Sequence, residues 1–243
     1  MSLFELKIEI LLKFPLNFQA SLEPLSKLIA TAMMNSSFRE LHMQKGGFKH
    51  FVFSNFLKIS KSKIYERGEN FFLFRTINKE LAFEIMKSLI GLEDRFFVVK
   101  SVGVREVRIK KVDWLISLNP VVMSFSNKEK SRYWTIWEDG DIKFLMDALH
   151  NNLVRKYEDF YKRKIDADEN FIEFLELKNQ KPFGIKYKSG KIFGNKFYIV
   201  PKQDEISQKL AFLALAEGLG EKNSIGFGFC KGKERVSFKV LKC

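Results

Sequence analysis

From Leu3 to Leu12, apolar and polar side chains alternate: Phe4, Leu6, Ile8 and Ile10 face one way and Glu5, Lys7 and Glu9 the other. A period of two is the mark of a half-buried strand. After Ser21 the period changes. Leu22, Leu25, Leu28, Ile29, Ala32 and Met33 recur at helical spacing, with Ser21 placed to cap the helix. A Gly-containing stretch holding His42 and His50 leads into a predicted strand from Phe51 to Ile59. A charged loop, Lys61 to Glu69, separates it from another strand, Asn70 to Ile77. Asn78 is placed to cap a helix whose apolar face is Leu81, Ile85, Met86, Leu89 and Ile90, and Gly91 to stop it. Arg95 to Ile109 reads as a final strand or hairpin. The order strand, helix, strand, strand, helix, strand is the ferredoxin-like βαββαβ unit.

The second half repeats this order less cleanly. Trp114 to Phe125 and Arg132 to Trp137 are strand-like, and Asp141 opens a long helix through Leu145, Leu149, Leu153, Tyr157 and Phe160. Strands follow at Phe171 to Leu177 and Lys191 to Val200, then an apolar helix from Asp204 to Glu217, then strands at Gly226 to Cys230 and Val236 to Leu241. The expected fold class is therefore α+β, two tandem ferredoxin-like domains spanning residues 1–111 and 112–243, with a break near Lys110 to Asp113. The halves share no visible sequence identity, so this repeat is one of architecture.

Composition narrows the function. Hydrophobic residues make up 46% of the 243, enough for a real core, and the 26 phenylalanines fall mostly in strand-like alternation, which assigns them to packing. The net charge of +13 points to an anionic partner, nucleic acid or an acidic membrane surface. Because the basic residues are spread along the chain, a folded basic surface fits better than a disordered arm. Cys230 and Cys243 form neither a disulfide framework nor a metal knuckle, so a reducing, cytoplasmic compartment is expected. The N-terminus reads as a strand rather than a signal peptide, and no run of about 18 apolar residues predicts a membrane span.

Residues 216–229 read AEGLGEKNSIGFGF. Gly218 and Gly220 stop the preceding helix, and Gly226 and Gly228 alternate with Phe227 and Phe229 in an expected strand. Four glycines allow close backbone approach and positive φ, and backbone N–H groups in such a loop can hold a phosphate, with Lys222 adding charge. A Walker-type loop is excluded, because no Gly-Lys-Ser/Thr follows and the loop ends a helix instead of opening one. A helix-to-strand turn that happens to be Gly-rich is the plainer alternative.

The segment GLGEKNSIGFGF is similar to the C-terminal Gly-rich signature of the CRISPR-associated repeat-processing endoribonucleases, in the intervening residues as well as the glycines. A second match is LHMQKGGFKHFVFS, residues 41–54, where His42, Lys49, Phe51, Phe53 and Ser54 fall on a family pattern of Leu-His, a Gly-containing loop, Lys and an aromatic strand ending in Ser. The loop is one residue longer than in some relatives. LNPVV, Leu118 to Val122, resembles the segment that opens the family's second domain. These anchors span about four-fifths of the chain; Tyr157 to Gln203 is matched only through the implied architecture.

The resemblance implies tandem ferredoxin-like domains, binding of CRISPR repeat RNA in the precursor crRNA, and single-site cleavage without metal or cofactor. It also implies that the product stays with, or passes to, an interference complex; a homodimer is compatible with it. RNA contacts are expected at Gly218, Gly220, Lys222, Asn223, Ser224, Gly226 and Gly228.

Metal-independent cleavage uses the RNA's own 2′-hydroxyl to displace the 5′-oxygen, leaving a 2′,3′-cyclic phosphate. An imidazole suits either proton transfer and a lysine suits charge stabilisation. His42 is the expected general acid or base and Lys49 the expected stabiliser, both around Gly46 and Gly47. Many relatives also carry a tyrosine in the first helix, where this chain has Ala30 or Thr31; Lys27, Ser36 and Ser37 are candidate substitutes. His50 is the other contender, against the plainer role of a sheet-face histidine, and His150 reads as structural. Asp166, Asp168 and Glu169 read as a solvated loop rather than a metal site. Trp114, Trp134 and Trp137 suit base stacking or core packing equally. Lys58, Lys61 and Lys63 are candidate RNA contacts or plain surface charge.

Three readings stand at this point: an endoribonuclease, a non-catalytic RNA-binding subunit of a CRISPR complex, and a basic RNA-binding module unrelated to CRISPR. His42 and Lys49 favour the first, and the missing tyrosine favours the second.

Overall fold

The computed structural model describes residues 1–58, 62–126 and 131–240. The first half runs β1 (Ser2–Leu12), β2 (Leu16–Asn17), α1 (Leu22–Met34), α2 (Arg39–Met43), β3 (Phe51–Phe53), β4 (Ile64–Tyr65), β5 (Gly68–Thr76), α3 (Lys79–Leu89) and β6 (Phe97–Ser117). The second continues β7 (Ser124–Ser126), β8 (Ser131–Tyr133), α4 (Ile142–Tyr161), β9 (Ile172–Leu177), β10 (Phe183–Tyr187), β11 (Gly190–Gly194), β12 (Phe197–Pro201), α5 (Glu205–Glu217) and β13 (Cys230–Val240).

One antiparallel sheet runs through the molecule in the order β3-β5-β1-β6-β12-β9, and β13 pairs with the opposite edge of β6. β6 belongs to both halves. Its first part flanks β1, completing a β6-β1-β5-β3 unit covered by α1 and α3. Its last part starts a β13-β6-β12-β9 unit carrying α4 and α5. Each is a ferredoxin-like βαββαβ unit, so the tandem architecture holds. The expected break at Lys110 to Asp113 is corrected. The strand runs on, and β13 skips Lys110 and Asp113 in two register shifts. Such bulges twist a strand without ending it.

Three helix starts follow their sequence signals. The side chains of Asn78, Asp141 and Asp204 accept from the backbone N–H of Leu81 (3.0 Å), Phe144 (2.9 Å) and Ser207 (2.9 Å). Ser21 does not cap α1; its one hydroxyl proton is shared between two acceptors, Asn55 Oδ1 (2.8 Å) and Phe18 O (3.0 Å). Strand assignments also change: Trp114 to Phe125 divides into the end of β6 and the start of β7, and Arg132 to Trp137 is strand only as far as Tyr133. The strand from Phe51 ends at Phe53, and the end expected for it, Ile59, lies outside the described residues. Lys191 to Val200 divides into β11 and β12, which belong to different sheets. Of the expected strand Gly226 to Cys230, Gly226 to Gly228 is a turn, with Gly226 at φ +93° and Gly228 at +71°, values a strand does not use, and only Cys230 begins β13.

The two cores interlock. Val122, Ile185, Ile192 and Phe227 of the second half pack into the first core, and Leu3 packs into the second. Glu5, expected on the polar face of β1, is 3% exposed. It pairs with Arg75 (2.7 Å) and Arg105 (2.5 Å). Arg75 also donates to Cys230 O (2.8 Å) and lies over the Phe229 ring, so this ion cluster ties β1 and β5 to the start of β13. Burial opposes ionisation of Glu5, but the two guanidiniums prevail and lower its pKa. Among the described residues, no helix is long and apolar enough to cross a membrane.

Candidate active site between the two halves

α2 is short and amphipathic only through Leu41, and it carries His42 one residue before its end. Gly46 (φ +77°) and Gly47 (φ +70°) then turn the chain back so that Lys49 precedes β3. Lys49 Nζ donates to His42 O at 2.8 Å, which brings the two expected residues together. Partial burial, and then the charge of Lys49, lower the His42 pKa; burial lowers that of Lys49.

His42 and Lys49 line a cavity of about 240 Å³ with Ser26, Lys27, Ala30 and Tyr187. Lys49, Phe51 and Ser224 are shared with a neighbouring cavity of about 490 Å³, whose walls are the loop from Gly46 to His50 and the segment from Gly220 to Ser224. Of the candidate substitutes for the first-helix tyrosine, Lys27 lines the cleft. Ser36 bonds Met33 O (2.8 Å) and does not line it.

The Gly-rich segment faces this cleft by one edge only. Gly220, Lys222, Asn223 and Ser224 line it, while Gly218, Gly226 and Gly228 are buried. The N–H groups of Leu219, Glu221, Ile225, Gly226, Phe227 and Gly228 all donate to internal carbonyls. Asn223 is 9% exposed, and its amide nitrogen donates to Leu219 O (3.2 Å) and Phe227 O (3.0 Å). Lys222, in a left-handed conformation, holds its ammonium 5.7 Å from the centre of the Tyr133 ring. The LNPVV segment laces the loop to the rest: Asn119 donates to Phe53 O (3.3 Å), Pro120 O accepts from Gly228 N and Val122 O from Glu221 N.

His50 is not a sheet-face residue. It has φ +52° and stands just before β3, its ring bonded by Nδ1 to Glu217 Oε2 (3.0 Å) and by Nε2 to Asp159 Oδ2 (2.9 Å). Burial opposes its charge, but the two carboxylates prevail and raise its pKa. A ring held at both nitrogens joins the loop to α4 and α5 and has no nitrogen left for a substrate.

Sequence reasoning passed over Lys156 and Glu217. Lys156 sits on the apolar stripe of α4, three residues after Leu153, and is 2% exposed. Its ammonium donates to Gly218 O (2.7 Å), Gly220 O (3.0 Å) and Asn223 Oδ1 (2.7 Å), fixing the Gly-rich segment from below. A lysine on an apolar stripe, and a glutamate ending an apolar helix, were the available signals.

Other candidates lie elsewhere. His150 is buried, bonded to Ala167 O (2.9 Å) and accepting from Phe171 N (3.3 Å), as a structural histidine should be. Trp134 is buried in the second core, Trp114 lies against Tyr198, and Trp137 is exposed. Glu169 pairs with Lys202, and among the described residues no group of three or more His, Cys, Asp or Glu is placed to hold a metal ion. Lys58 and Lys63 are exposed; Lys61 and Cys243 lie outside the described residues.

Fold and site together define a tandem ferredoxin-like protein with a lysine-rich cleft between its halves. The family described as CRISPR associated protein Cas6, C-terminal, matches residues 104–232. The chain is 24% identical over 217 residues to the CRISPR-associated endoribonuclease Cas6 2 of Methanocaldococcus jannaschii, covering 83% of this chain and 87% of that protein. Among solved structures it is similar to a CRISPR associated protein Cas6, at 23% identity and TM-score 0.69 over 96% of this chain and 100% of that one. It is also similar to an RAMP protein binding different RNA substrates, at 17% identity and TM-score 0.71 over 95% and 100%. The chain belongs to the Cas6 family of CRISPR-associated proteins.

Proposed function

We propose that the chain is a CRISPR repeat-specific endoribonuclease that cuts precursor CRISPR RNA without a metal ion, by attack of the substrate's own 2′-hydroxyl. Residues 1–111 carry His42 and Lys49 and residues 112–243 the Gly-rich RNA-binding loop, with β6 shared between the two halves. The observation that supports this reading is the convergence of His42 and Lys49 on one cleft edged by Ser224 of the Gly-rich segment.

His42 is the general base. Its depressed pKa keeps the imidazole neutral near pH 7, able to take the 2′-proton. Lys49 stabilises the charge that builds on the phosphorane. The O2′–P bond forms and the P–O5′ bond breaks, giving a 2′,3′-cyclic phosphate and a 5′-hydroxyl. Lys222 and Ser224 contact the RNA backbone, with Gly218, Gly220, Asn223, Gly226 and Gly228 shaping the loop that presents them. Repeat RNA is the partner, and the product is handed to an interference complex.

The test is single-turnover cleavage of labelled repeat RNA in EDTA. His42→Ala should slow it by about 10²–10⁴-fold, the usual size of a lost general base, and Lys49→Ala by about 10²-fold. Tight repeat binding with no cut by the wild-type chain would favour the non-catalytic RNA-binding reading, to which Ala30 on α1 lends support.

A further inference from the structure

Cleavage by the 2′-hydroxyl needs two proton transfers: one from O2′ and one to the departing O5′. His42 serves the first. Lys49 has its ammonium on the His42 carbonyl. A third group reaches the same cleft, from the far half of the chain. The β10–β11 hairpin docks its tip on α1, where Tyr187 Oη lies 2.9 Å from Ser26 Oγ. Two further bonds fix the tip: Lys188 N donates to Glu23 Oε2 (2.9 Å) and Lys186 N to Gln19 O (2.9 Å). Ile185 and Ile192 are buried in the first core, and the Phe183 ring meets Phe18 edge-on at 6.1 Å. The phenol is therefore held from both sides of the hairpin. Ser26 and Ala30 are one helical turn apart on the same face of α1, and both line the cleft with His42, Lys49 and Tyr187.

Resting on the endoribonuclease reading, we propose that the Tyr187 hydroxyl is the general acid, donating its proton to the leaving 5′-oxygen. As O2′ bonds phosphorus, the P–O5′ electron pair departs on O5′. His42 takes the O2′ proton, Tyr187 gives its proton to O5′, and the phenolate regains one from the imidazolium through solvent. Ser26 is a positioning residue. A hydroxyl both donates and accepts, so Ser26 can donate to the phenol oxygen while the phenol proton points to substrate.

Tyr187→Phe keeps the ring and removes only the hydroxyl. In single-turnover assays on repeat RNA it should cut about 10²-fold more slowly, the lower range for a lost general acid. On the same RNA with sulfur replacing the scissile 5′-oxygen, a thiolate leaves without needing a proton. There the variant should match wild type, while His42→Ala stays slow. Ser26→Ala should show the same pattern at roughly 5-fold, a fraction of the loss of the acid itself, and it decides the matter if Tyr187→Phe does not fold. Cleavage by Tyr187→Phe at the wild-type rate, or equal losses on the two substrates, would overturn the proposal. Failure of the underlying reading differs: the wild-type chain would leave the repeat uncut, or His42→Ala would cut it normally.

Discussion

Replacing Gly228 by alanine puts a methyl group 1.9 Å from the Leu219 carbonyl oxygen and 2.8 Å from the Asn223 amide nitrogen. Both neighbours are held. Leu219 O accepts from that same amide nitrogen at 3.2 Å, and Asn223 Oδ1 is fixed by Lys156. Gly228 is held too, its N–H on Pro120 O (2.9 Å) and its carbonyl accepting from Leu219 N (2.9 Å). At φ +71° the new side chain carries about 1–2 kcal/mol of left-handed strain. Clearing the clash strands at least one buried polar group, at about 1–3 kcal/mol. Gly228→Ala should therefore destabilise the chain by about 2–5 kcal/mol, lowering Tm by about 4–20 °C at the sensitivity expected for this length. Circular-dichroism melts beside Gly103→Ala supply the contrast. Nothing lies within 4 Å of a methyl group at Gly103, so that variant should stay within about 0.5 kcal/mol of wild type. If Gly228→Ala melts with wild type, the loop is not shaped by this close approach and the reasoning fails.

His50→Ala should cost about 3 kcal/mol in urea unfolding near pH 6, because it strands the Glu217 carboxylate at 1% exposure. Since the folded pKa of His50 is raised, its stabilisation is complete below about pH 6.5 and lost as pH climbs through the raised value. The gap between wild type and variant should narrow from pH 6 upward; a widening gap refutes the ion triad. The single-turnover cleavage rate should rise with pH through a midpoint below about 6.5, where the His42 imidazole becomes neutral. A midpoint above that would remove His42 as the base.

What the sequence revealed was local. Three long helices showed themselves through a 3.6-residue stripe and the fourth, α5, through a continuous apolar run; Asn78, Asp141 and Asp204 stand at the starts of three of the four. The His42 and Lys49 pairing was legible because only a short loop with two glycines separates them. The turn at Gly226 to Gly228 was misread because alternating glycine and phenylalanine mimics a strand, while positive φ leaves no trace in a hydropathy pattern. Glu5 looked solvent-facing because its period is that of an amphipathic strand, and the guanidinium that buries it comes from residue 75. Tyr187 was invisible for a similar reason: its bond to Ser26 spans 161 residues, and the hairpin carrying it sits in a stretch where lysines interrupt every apolar run.

The cleft belongs to the junction between the halves, and α4 shows how. Burial lowers the Lys156 pKa to about 8, against the raising influence of Glu217, Cys230 and Glu221, so the side chain is mostly charged at neutral pH. Three acceptors for three ammonium donors compensate for that desolvation. An apolar residue there would avoid the desolvation but leave Gly218 O, Gly220 O and Asn223 Oδ1 without this donor. One turn later on the same helix, Asp159 holds His50, the residue that follows Lys49. α4 thus fixes the Gly-rich segment from below and the Lys49 loop from the side. The β10–β11 hairpin brings Tyr187 to α1 from the same half of the chain. The first half supplies His42 and Lys49, but the groups that orient and face them come from the second. The interlocked cores and the Glu5–Arg75 cluster are therefore part of what keeps the site assembled.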